Sequence, residues 1–253
     1  MIFFYLSLLS LTAMTFISGS NGFICDEDCA DKPVFSPPSL VVQYGHSASV
    51  RCTACQQACQ HEHTGMNISV GQPKKDGNLM LWKTEELLEW DVSATCYNTD
   101  HNGTRCCSHL PVTVYTSPRF IFLYLTEVIE DTPERTRYEV ECSVIDAAPL
   151  ENTVVTFYKE KNHTVQTLGE LKSKHSSRTP ASEVFTLFVP KLPDDNSLYW
   201  CEAKLDLGPE GPQPPVVFTS EKVHSHMRMT MSSSSKLNVS FTLCFMLLLF
   251  SLI

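Results

Sequence analysis

The chain has 253 residues, of which 43% are hydrophobic, and it contains 11 cysteines. Its formal net charge is −9 at pH 7, which argues against nucleic acid or heparin as the main partner because polyanions bind basic surfaces. The length leaves room for two domains of about 100 residues each.

Residues 1–20 are predicted to form a secretory signal peptide. An apolar stretch extends to Ile17 and gives way to small polar residues, which signal peptidase accepts. No basic residue precedes the stretch, so the alternatives are a buried N-terminal helix or a membrane anchor. Residues 21–33, which include Cys25 and Cys29, then form an N-terminal extension.

A first domain is predicted over residues 34–116. Alternating apolar and polar residues indicate strands with one buried face. The pattern occurs at Ala48-x-Val50-x-Cys52 and at Leu88-x-Trp90-x-Val92, and Lys74–Gly77 predicts a turn between strands. The last strand of the domain is expected at 110–115, because Pro118 interrupts the pattern beyond it.

A second domain is predicted over residues 117–221, followed by a stalk over 222–232. Its expected strands contain Cys142, residues 154–158, residues 184–189, Cys201 and residues 216–218. Because Pro193–Asn196 and Gly208–Pro212 are rich in turn residues, they separate these strands.

The stretch from Tyr199 to Leu207 is the strongest indicator of the fold. A tyrosine two residues before a strand cysteine is the tyrosine-corner arrangement of immunoglobulin sandwiches. The inward-facing Cys201 then pairs with Cys142 between the two sheets, and Cys52 pairs with Cys96 in the first domain. The prediction is an all-β chain of two tandem immunoglobulin-like β-sandwich domains.

Six cysteines remain in the predicted ectodomain. They are Cys25, Cys29, Cys55, Cys59, Cys106 and Cys107. On the sandwich topology they gather at one end of the first domain, which predicts a tip held by three further disulfides. The alternative is a zinc site that uses Cys55, Cys59, His61 and His63, but zinc needs the thiolates that an oxidising compartment removes.

Residues 233–253 are predicted to be the signal for a glycosylphosphatidylinositol (GPI) anchor. Small residues, a short spacer and a terminal apolar tail follow one another, as in such signals. Attachment is predicted at Ser232, which places the chain on the outer leaflet of the plasma membrane. The alternative is a short transmembrane helix beginning near Leu237. Cys244 lies in this tail, so ten cysteines remain for disulfides.

No catalytic fingerprint is present, so an enzyme is not expected, and no cofactor is predicted. Three acceptor sequences for N-glycosylation lie in the predicted ectodomain, at Asn67, Asn102 and Asn162. Because glycan attachment needs an accessible site in an exported protein, they agree with export.

Several short motifs resemble the intercellular adhesion molecules, whose immunoglobulin domains bind integrins. The motifs are Thr113-Val114-Tyr115 with Pro118 and Arg119, Cys201–Pro209 with Gly211, Ser36-Pro37-Pro38, Pro73-Lys74-Lys75 and Cys96-Tyr97. The resemblance implies an acidic residue near the end of strand C of the first domain, where its carboxylate completes the coordination of a metal ion held by the integrin. Asn67 stands at that position, and Glu62 and Asp76 are the alternative acids.

The resemblance implies a cell-surface adhesion glycoprotein that is a ligand for an integrin, with the divalent ion supplied by the partner. The alternative is a homophilic or heterophilic recognition protein that acts through the disulfide-rich tip, and a third hypothesis is a structural or decoy ectodomain. Trp200 is predicted to point away from the core of the second domain. There it packs on a neighbouring strand or anchors an interface.

Overall fold

The computed structural model describes residues 25–26, 28–56, 63–99, 103–129, 136–189, 196–227 and 229–232. Within these ranges the secondary structure consists of β-strands and two short 3-10 turns, without an α-helix. No helix in this part of the chain is long and apolar enough to cross a membrane. The all-β prediction is confirmed, and the sheets form two domains.

The first domain contains ten strands. They are β1 (Cys25–Asp26), β2 (Val34–Ser36), β3 (Leu40–Gln43), β4 (Ala48–Thr53), β5 (Thr64–Ile68), β6 (Lys74–Asp76), β7 (Leu79–Thr84), β8 (Ala94–Thr99), β9 (Arg105–Leu110) and β10 (Val112–Tyr115). One sheet has the order β2-β4-β7-β6, the other has the order β1-β9-β8-β5, and β10 pairs with β3. The side chains between the two sheets form a separate core.

Trp82 lies at the centre of this core. It is fully buried, and its indole N–H donates a hydrogen bond of 2.8 Å to the Val70 carbonyl. A disulfide joins Cys52 on β4 to Cys96 on β8, with 6.4 Å between the Cα atoms. The alternating burial of β4 and β8 directs both cysteines into the space between the sheets.

The prediction of a strand around Trp90 is wrong. Residues 85–93 contain no strand, and Leu88 is 55% exposed whereas Leu87 is fully buried. The backbone of Leu87 exchanges hydrogen bonds of 2.8 and 2.9 Å with Gly45 and His46, which holds this segment as a loop. The strand of this region that directs alternate side chains into the core is instead β7. The predicted turn at 74–77 is largely strand β6.

The second domain contains nine strands within the described residues. They are β11 (Phe120–Ile129), β12 (Thr136–Ala147), β13 (Thr153–Lys161), β14 (Thr164–Lys172), β15 (Ala181–Val189), β16 (Leu198–Leu205), β17 (Val217–Thr219), β18 (Val223–His224) and β19 (Met229–Ser232). One sheet has the order β15-β12-β11-β19, and the other has the order β14-β13-β16-β17, with β18 also paired to β16.

The core of the second domain lies around a disulfide between Cys142 and Cys201, whose Cα atoms are 6.3 Å apart. Phe157 on β13 is fully buried and lies beside Cys201 in the strand register. It occupies the region where antibody domains place a tryptophan. Tyr199 is also buried in this core.

The stalk predicted over residues 222–232 is wrong, because this segment is part of the second domain. β18 pairs with β16, and β19 pairs in parallel with β11, where Ser232 lies opposite Ile129. Backbone pairing therefore extends the domain to Ser232. The predicted signal peptide and residues 233–253 lie outside the described residues.

Among the described residues, a backbone bridge and an ion pair connect the domains. Thr116 and Ala148 form an isolated antiparallel bridge, with N–H···O distances of 2.9 and 3.2 Å. The Arg178 guanidinium lies 2.7 Å from the Asp91 carboxylate, although both side chains are largely exposed. Both contacts thus supplement the short connection at Ser117 and Pro118.

Candidate recognition surface

The outer surface of the β5–β8–β9 sheet in the first domain is the candidate site. We define this front face by Gly65, Asn67, Thr95, Tyr97, Arg105 and His109. All six occupy the outward-facing positions of their strands, because the inward-facing partners, such as Met66 and Cys96, are buried.

The strand register places Asn67 in a row of polar side chains. Asn67 on β5 lies opposite Thr95 on β8, and Thr95 lies opposite His109 on β9. The Thr95 hydroxyl and the His109 Nδ1 atom are 2.8 Å apart. Asn67 is exposed one residue before the end of β5. This row therefore offers an amide, a hydroxyl and an imidazole side by side.

A second group on the front face combines an aromatic ring with a cation. The Arg105 guanidinium lies 4.6 Å from the centroid of the Tyr97 ring, which is the distance of a cation–π contact. The other end of Tyr97 lies across Gly65, where an added Cβ atom would be only 2.5 Å from the phenol oxygen. A side chain at position 65 would therefore displace the ring.

The front face has one open edge. β5 pairs only with β8 among the described strands, so the other edge of β5 has no strand neighbour there. The Lys75 ammonium group from the opposite sheet donates a hydrogen bond of 2.6 Å to the Thr64 carbonyl at this edge. A cation at an edge strand opposes edge-to-edge pairing with other chains, so the outer side-chain surface is the more suitable contact area.

Disulfides attach the N-terminal extension to the other edge of the sheet. β1 pairs in parallel with β9, and disulfides join Cys25 to Cys107 and Cys29 to Cys106. Cys55 is also disulfide-bonded, so it does not offer a thiolate to a metal. Cys59 and His61 lie outside the described residues.

Hydrogen bonds hold the chain that follows Cys29 against the tip of the domain. The buried Asn98 amide donates to the carbonyls of Asp31 and Ala54 at 2.8 and 2.7 Å. The Asp31 carboxylate accepts a hydrogen bond of 2.8 Å from the Gln56 N–H. The described part of the extension is thus fixed by disulfides and hydrogen bonds, and it lies beside β9 at the edge of the sheet.

The structure separates the predicted site residues. Asp76 lies on β6, in the sheet opposite the front face. Glu62 and Asn102 lie outside the described residues. Asn162 is exposed in the turn between β13 and β14 of the second domain. Within the described chain, no group of three His, Cys, Asp or Glu residues could hold a metal ion.

The interpretation of Trp200 as an exposed interface anchor is wrong. Its side chain points outward from the core but is only 6% exposed, because neighbouring side chains cover it. The Tyr158 ring stacks on it with centroids 5.3 Å apart, and the Lys222 ammonium lies 4.3 Å from its ring centroid. Lys222 also makes an ion pair of 2.6 Å with Glu160.

Titration properties agree with a closed surface around Trp200. Burial, together with the nearby Glu202 carboxylate, raises the pKa of Tyr158. The hydrogen bond from Lys222 lowers the pKa of Glu160. An alternating pattern in β16 could not reveal this cover, because Lys222 comes from a segment outside the strand and Tyr158 from a neighbouring strand.

Sequence reasoning did not identify Thr95, Tyr97, Arg105 and His109 as site residues. Thr95 and Tyr97 flank Cys96, so their outward direction could have been read from the alternation alone. Their alignment with Asn67 and His109 depends on the pairing register of three strands, which the sequence does not contain.

The architecture defines two tandem immunoglobulin-like β-sandwiches. No protein-family model matches the chain, and no curated protein matches it. Solved structures do match, and one of them is an ectodomain fragment of ICAM-5 that contains domains D1–D4, with a TM-score of 0.53 and 16% sequence identity. The match covers 81% of this chain and 52% of that chain, so the chain spans about half the length of that fragment.

At 16% identity this similarity establishes the fold alone. Altogether 1753 solved chains match, and a fold this widespread does not select a function.

Proposed function

We propose that the chain is a cell-surface recognition and adhesion glycoprotein whose front face is the contact area for a partner. The observation that carries this proposal is the group formed by Gly65, Tyr97 and Arg105, next to the polar row that contains Asn67. Aromatic rings and arginine are enriched at the energetic centres of protein interfaces. Disulfides on one side hold the strands in place, which reduces the entropy lost on binding.

The leading partner is an integrin. Asn67 is exposed near the end of β5, the position at which the family resemblance implies a metal-binding acid. An amide oxygen is also a ligand for a hard divalent cation, although it lacks the charge of a carboxylate. The integrin supplies the ion, so this chain needs no cofactor. Glu62 is the alternative acid for the same role.

The second candidate is a recognition protein that binds a partner other than an integrin. It uses the disulfide-rich tip of the first domain in a homophilic or heterophilic contact. The chemistry of the front face favours it, since none of the described outward-facing residues of β5, β8 and β9 is a carboxylate. An amide, hydroxyls, an imidazole and a guanidinium suit a partner with acceptor groups better than a metal ion.

Export and anchoring complete the proposal. Residues 1–20 are the signal peptide, and the chain is attached at Ser232 to a lipid anchor on the outer leaflet after loss of 233–253. β19 supports this orientation, because it ends at Ser232 at the end of β11 remote from the first domain. Asn67, Asn102 and Asn162 carry glycans. Phospholipase treatment of expressing cells should release the chain, whereas a transmembrane segment would retain it.

The test is adhesion of integrin-bearing cells to cells that express the full chain, with and without a divalent-ion chelator. The integrin proposal expects adhesion that the chelator abolishes. Adhesion that persists in the chelator overturns it and leaves the second candidate, which expects Tyr97→Ala and Arg105→Ala to abolish binding.

Variants at the sequon separate the carboxylate from the glycan. Asn67→Asp supplies an acid and removes the glycan, Asn67→Gln removes only the glycan, and Ser69→Ala removes the glycan while it keeps Asn67. A gain with Asn67→Asp alone means that the charge matters. An equal gain in all three variants means that the glycan obstructs the face. Surface expression is the control, because the Ser69 hydroxyl also accepts a hydrogen bond from the Ser93 N–H.

A further inference from the structure

The segment predicted as a stalk is folded against the second domain. We define the strap as residues 223–232, from the start of β18 to the end of β19. It leaves the sheet of β16, where Val223 lies opposite Tyr199. It then joins the other sheet, where Met229–Ser232 lie beside β11. The strap therefore crosses the base of the second domain, which is the end remote from the first domain.

The first part of the strap is fixed in the core. Val223 packs against the buried side chains of the second domain. Ser225 is fully buried, and its N–H donates a hydrogen bond of 2.9 Å to the Ser197 carbonyl. The preceding Lys222 places its ammonium group 4.3 Å from the centroid of the Trp200 ring. The chain is therefore held firmly up to Ser225.

The second part of the strap is held mainly by backbone pairing at the edge of a sheet. Met229–Ser232 pair in parallel with the last four residues of β11. Met227 is 62% exposed, and the exposed His226 ring stacks on His224 with centroids 5.1 Å apart. A terminal edge strand with exposed side chains opens locally at a low cost in free energy. Residues 226–232 are thus the part of the strap that can detach.

The direction of the strands determines how tension acts on the strap. β11 begins next to the connection with the first domain, and Ser232 lies opposite Ile129 at its other end. Because β19 runs parallel to β11, a pull on Ser232 away from the first domain slides β19 along β11. The backbone hydrogen bonds between these two strands then carry the load together, and only four residue pairs share it.

The rest of the second domain resists the same pull better. β11 also pairs with β12 over ten residue pairs, and β12 pairs in turn with β15. The disulfide between Cys142 and Cys201 joins the two sheets. The short pairing of β19 therefore opens first. Opening stops at Ser225, because the chain enters the core there.

We propose that residues 226–232 form a stalk that tension deploys, folded against β11 at rest and detached when a partner pulls on the first domain. This inference rests on the proposed attachment of the chain to the membrane at Ser232. Seven extended residues span at most about 25 Å, whereas the folded strap crosses the roughly 10 Å between the sheets. Detachment therefore moves the second domain away from its attachment by up to roughly 15 Å.

The deployed stalk changes how the front face meets a partner. At rest, β19 ends at the attachment residue, so the base of the second domain lies at the membrane and the chain has one orientation. After detachment, a flexible linker of seven residues connects the domain to the membrane and lets it pivot. The front face then reaches a partner across a wider range of gaps between two membranes, because linker length determines which sites can be spanned.

The test is stretching of single molecules of the full chain in an optical trap. The chain is expressed in cells that cannot attach lipid anchors, so that residues 233–253 remain, and it is purified in detergent with a handle at each end. The disulfide between Cys25 and Cys107 transmits tension from the amino end to β9. Because β9 also carries Arg105 of the front face, the handle loads the molecule much as a partner would.

The wild-type chain should lengthen in a reversible early step of up to roughly 15 Å, at a lower force than the unfolding of either domain. Met229→Pro combined with Thr230→Pro should abolish this step. Alternate N–H groups along a strand point to the same neighbour, so the two prolines remove at least one hydrogen-bond donor to β11. The matched control, Met229→Ala combined with Thr230→Ala, keeps both N–H groups and should keep the step.

Four outcomes would overturn the proposal. The wild-type chain could lack an early step, the proline variant could keep it, or the alanine variant could lose it as the proline variant does. The fourth is a proline variant whose later unfolding steps also occur at lower force, because β19 would then belong to the main load-bearing structure of the domain.

These measurements are separate from the tests of the proposed function. Retention of the chain on cells after phospholipase treatment would refute the lipid anchor at Ser232 and leave the early step unchanged. A missing early step would refute the deployable stalk and leave anchoring and adhesion as proposed.

Discussion

The sheet around β8, which carries Cys96, has an open outer surface in the first domain, whereas the sheet around β16, which carries Cys201, has a closed outer surface in the second domain. In the first domain, Tyr97 flanks Cys96 and lies partly exposed beneath Arg105. In the second, Trp200 precedes Cys201 and is covered by Tyr158 and Lys222. The same backbone plan therefore provides a contact surface in one case and a packed surface in the other.

Edge strands contribute to this difference. In the second domain β14 adds a neighbour to β13, whereas β5 in the first domain has no described partner on its outer side. The outer side of the second domain that stays apolar and exposed belongs to its other sheet. Mutations in these equivalent sheets should therefore have opposite effects, with loss of stability in the second domain and loss of binding in the first.

The largest expected effect concerns the disulfides. Replacing Cys142 and Cys201 by alanine should lower the free energy of unfolding of the second domain by about 2–5 kcal/mol, because the bond closes a long loop and lies in the core. Denaturant unfolding of the chain, followed by tryptophan fluorescence, measures this.

The comparison variant removes Cys25 and Cys107. Because β1 has two residues and the bond between Cys29 and Cys106 remains, global unfolding should change little. Binding through the front face should weaken as β9 loses support. Equal destabilisation by the two double variants would contradict a stabilising role for the core disulfide and a local, supporting role for the disulfide of the N-terminal extension.

Aromatic truncation should have the next largest effect. Trp200→Ala should cost about 2–4 kcal/mol of stability, since a buried indole loses its packing and leaves a cavity. Tyr97→Ala should cost less than about 1 kcal/mol, as expected for a partly exposed side chain, and should abolish partner binding. If Trp200→Ala instead removed adhesion without a change in unfolding, its assignment to packing would be wrong.

Gly65→Ala is a finer test of the open surface. The added methyl group would lie 2.5 Å from the Tyr97 phenol oxygen and 2.6 Å from the nearest ring carbon, so the ring must move away from its position under Arg105. We expect at least a several-fold loss of adhesion, with a small change in the unfolding midpoint. In a Tyr97→Ala background the same substitution should have no further effect on binding, which a double-mutant cycle measures.

The smallest expected effect is a pH dependence in the second domain. The Lys222 hydrogen bond lowers the pKa of Glu160 below its ordinary value of 4.5. The stabilisation is therefore present above pH 4.5 and is lost as the pH falls through the lower, folded-state value. Glu160→Gln should remove this acid-side dependence in denaturant titrations.

Lys222→Met separates the charge of the Lys222 ammonium group from the packing of its side chain over Trp200. The methionine retains an apolar chain over Trp200 and loses the ion pair. Its pH profile should therefore match that of Glu160→Gln, and its free energy of unfolding at neutral pH should stay close to that of the wild type. A strong loss of stability at neutral pH would mean that the ammonium group itself, through its cation–π contact, maintains the closed surface.

Much of the fold could be predicted from alternation. The burial of β4, β8 and β13 follows the period of two in their sequences, and Tyr199 with Cys201 indicates an inward-facing strand. The exposed β14 could not be recognised, because a strand with little burial on either face has no clear pattern. The segment around Trp90 was mistaken for a strand because a loop there happens to alternate.

The family resemblance could place Asn67 near the end of a strand, yet it could not predict which residues surround Asn67 on the surface. The contact between Gly65 and Tyr97 joins residues 32 positions apart, and it exists only when β5 and β8 pair in one register. The cover over Trp200 likewise depends on where the chain after β17 returns to the sheet.

The sequence by itself determined two sandwiches with inward cysteines and buried strand faces, because side-chain alternation and apolar burial act locally along each strand. Tertiary structure alone decided which outward residues stay accessible. Accessibility depends on neighbours from distant segments: Lys222 closes the surface at Trp200, β19 adds a strand beside Thr126–Ile129 of β11, and strand pairing aligns Asn67 with Thr95 and His109. The candidate contact surfaces are therefore properties of register and coverage rather than of any single motif.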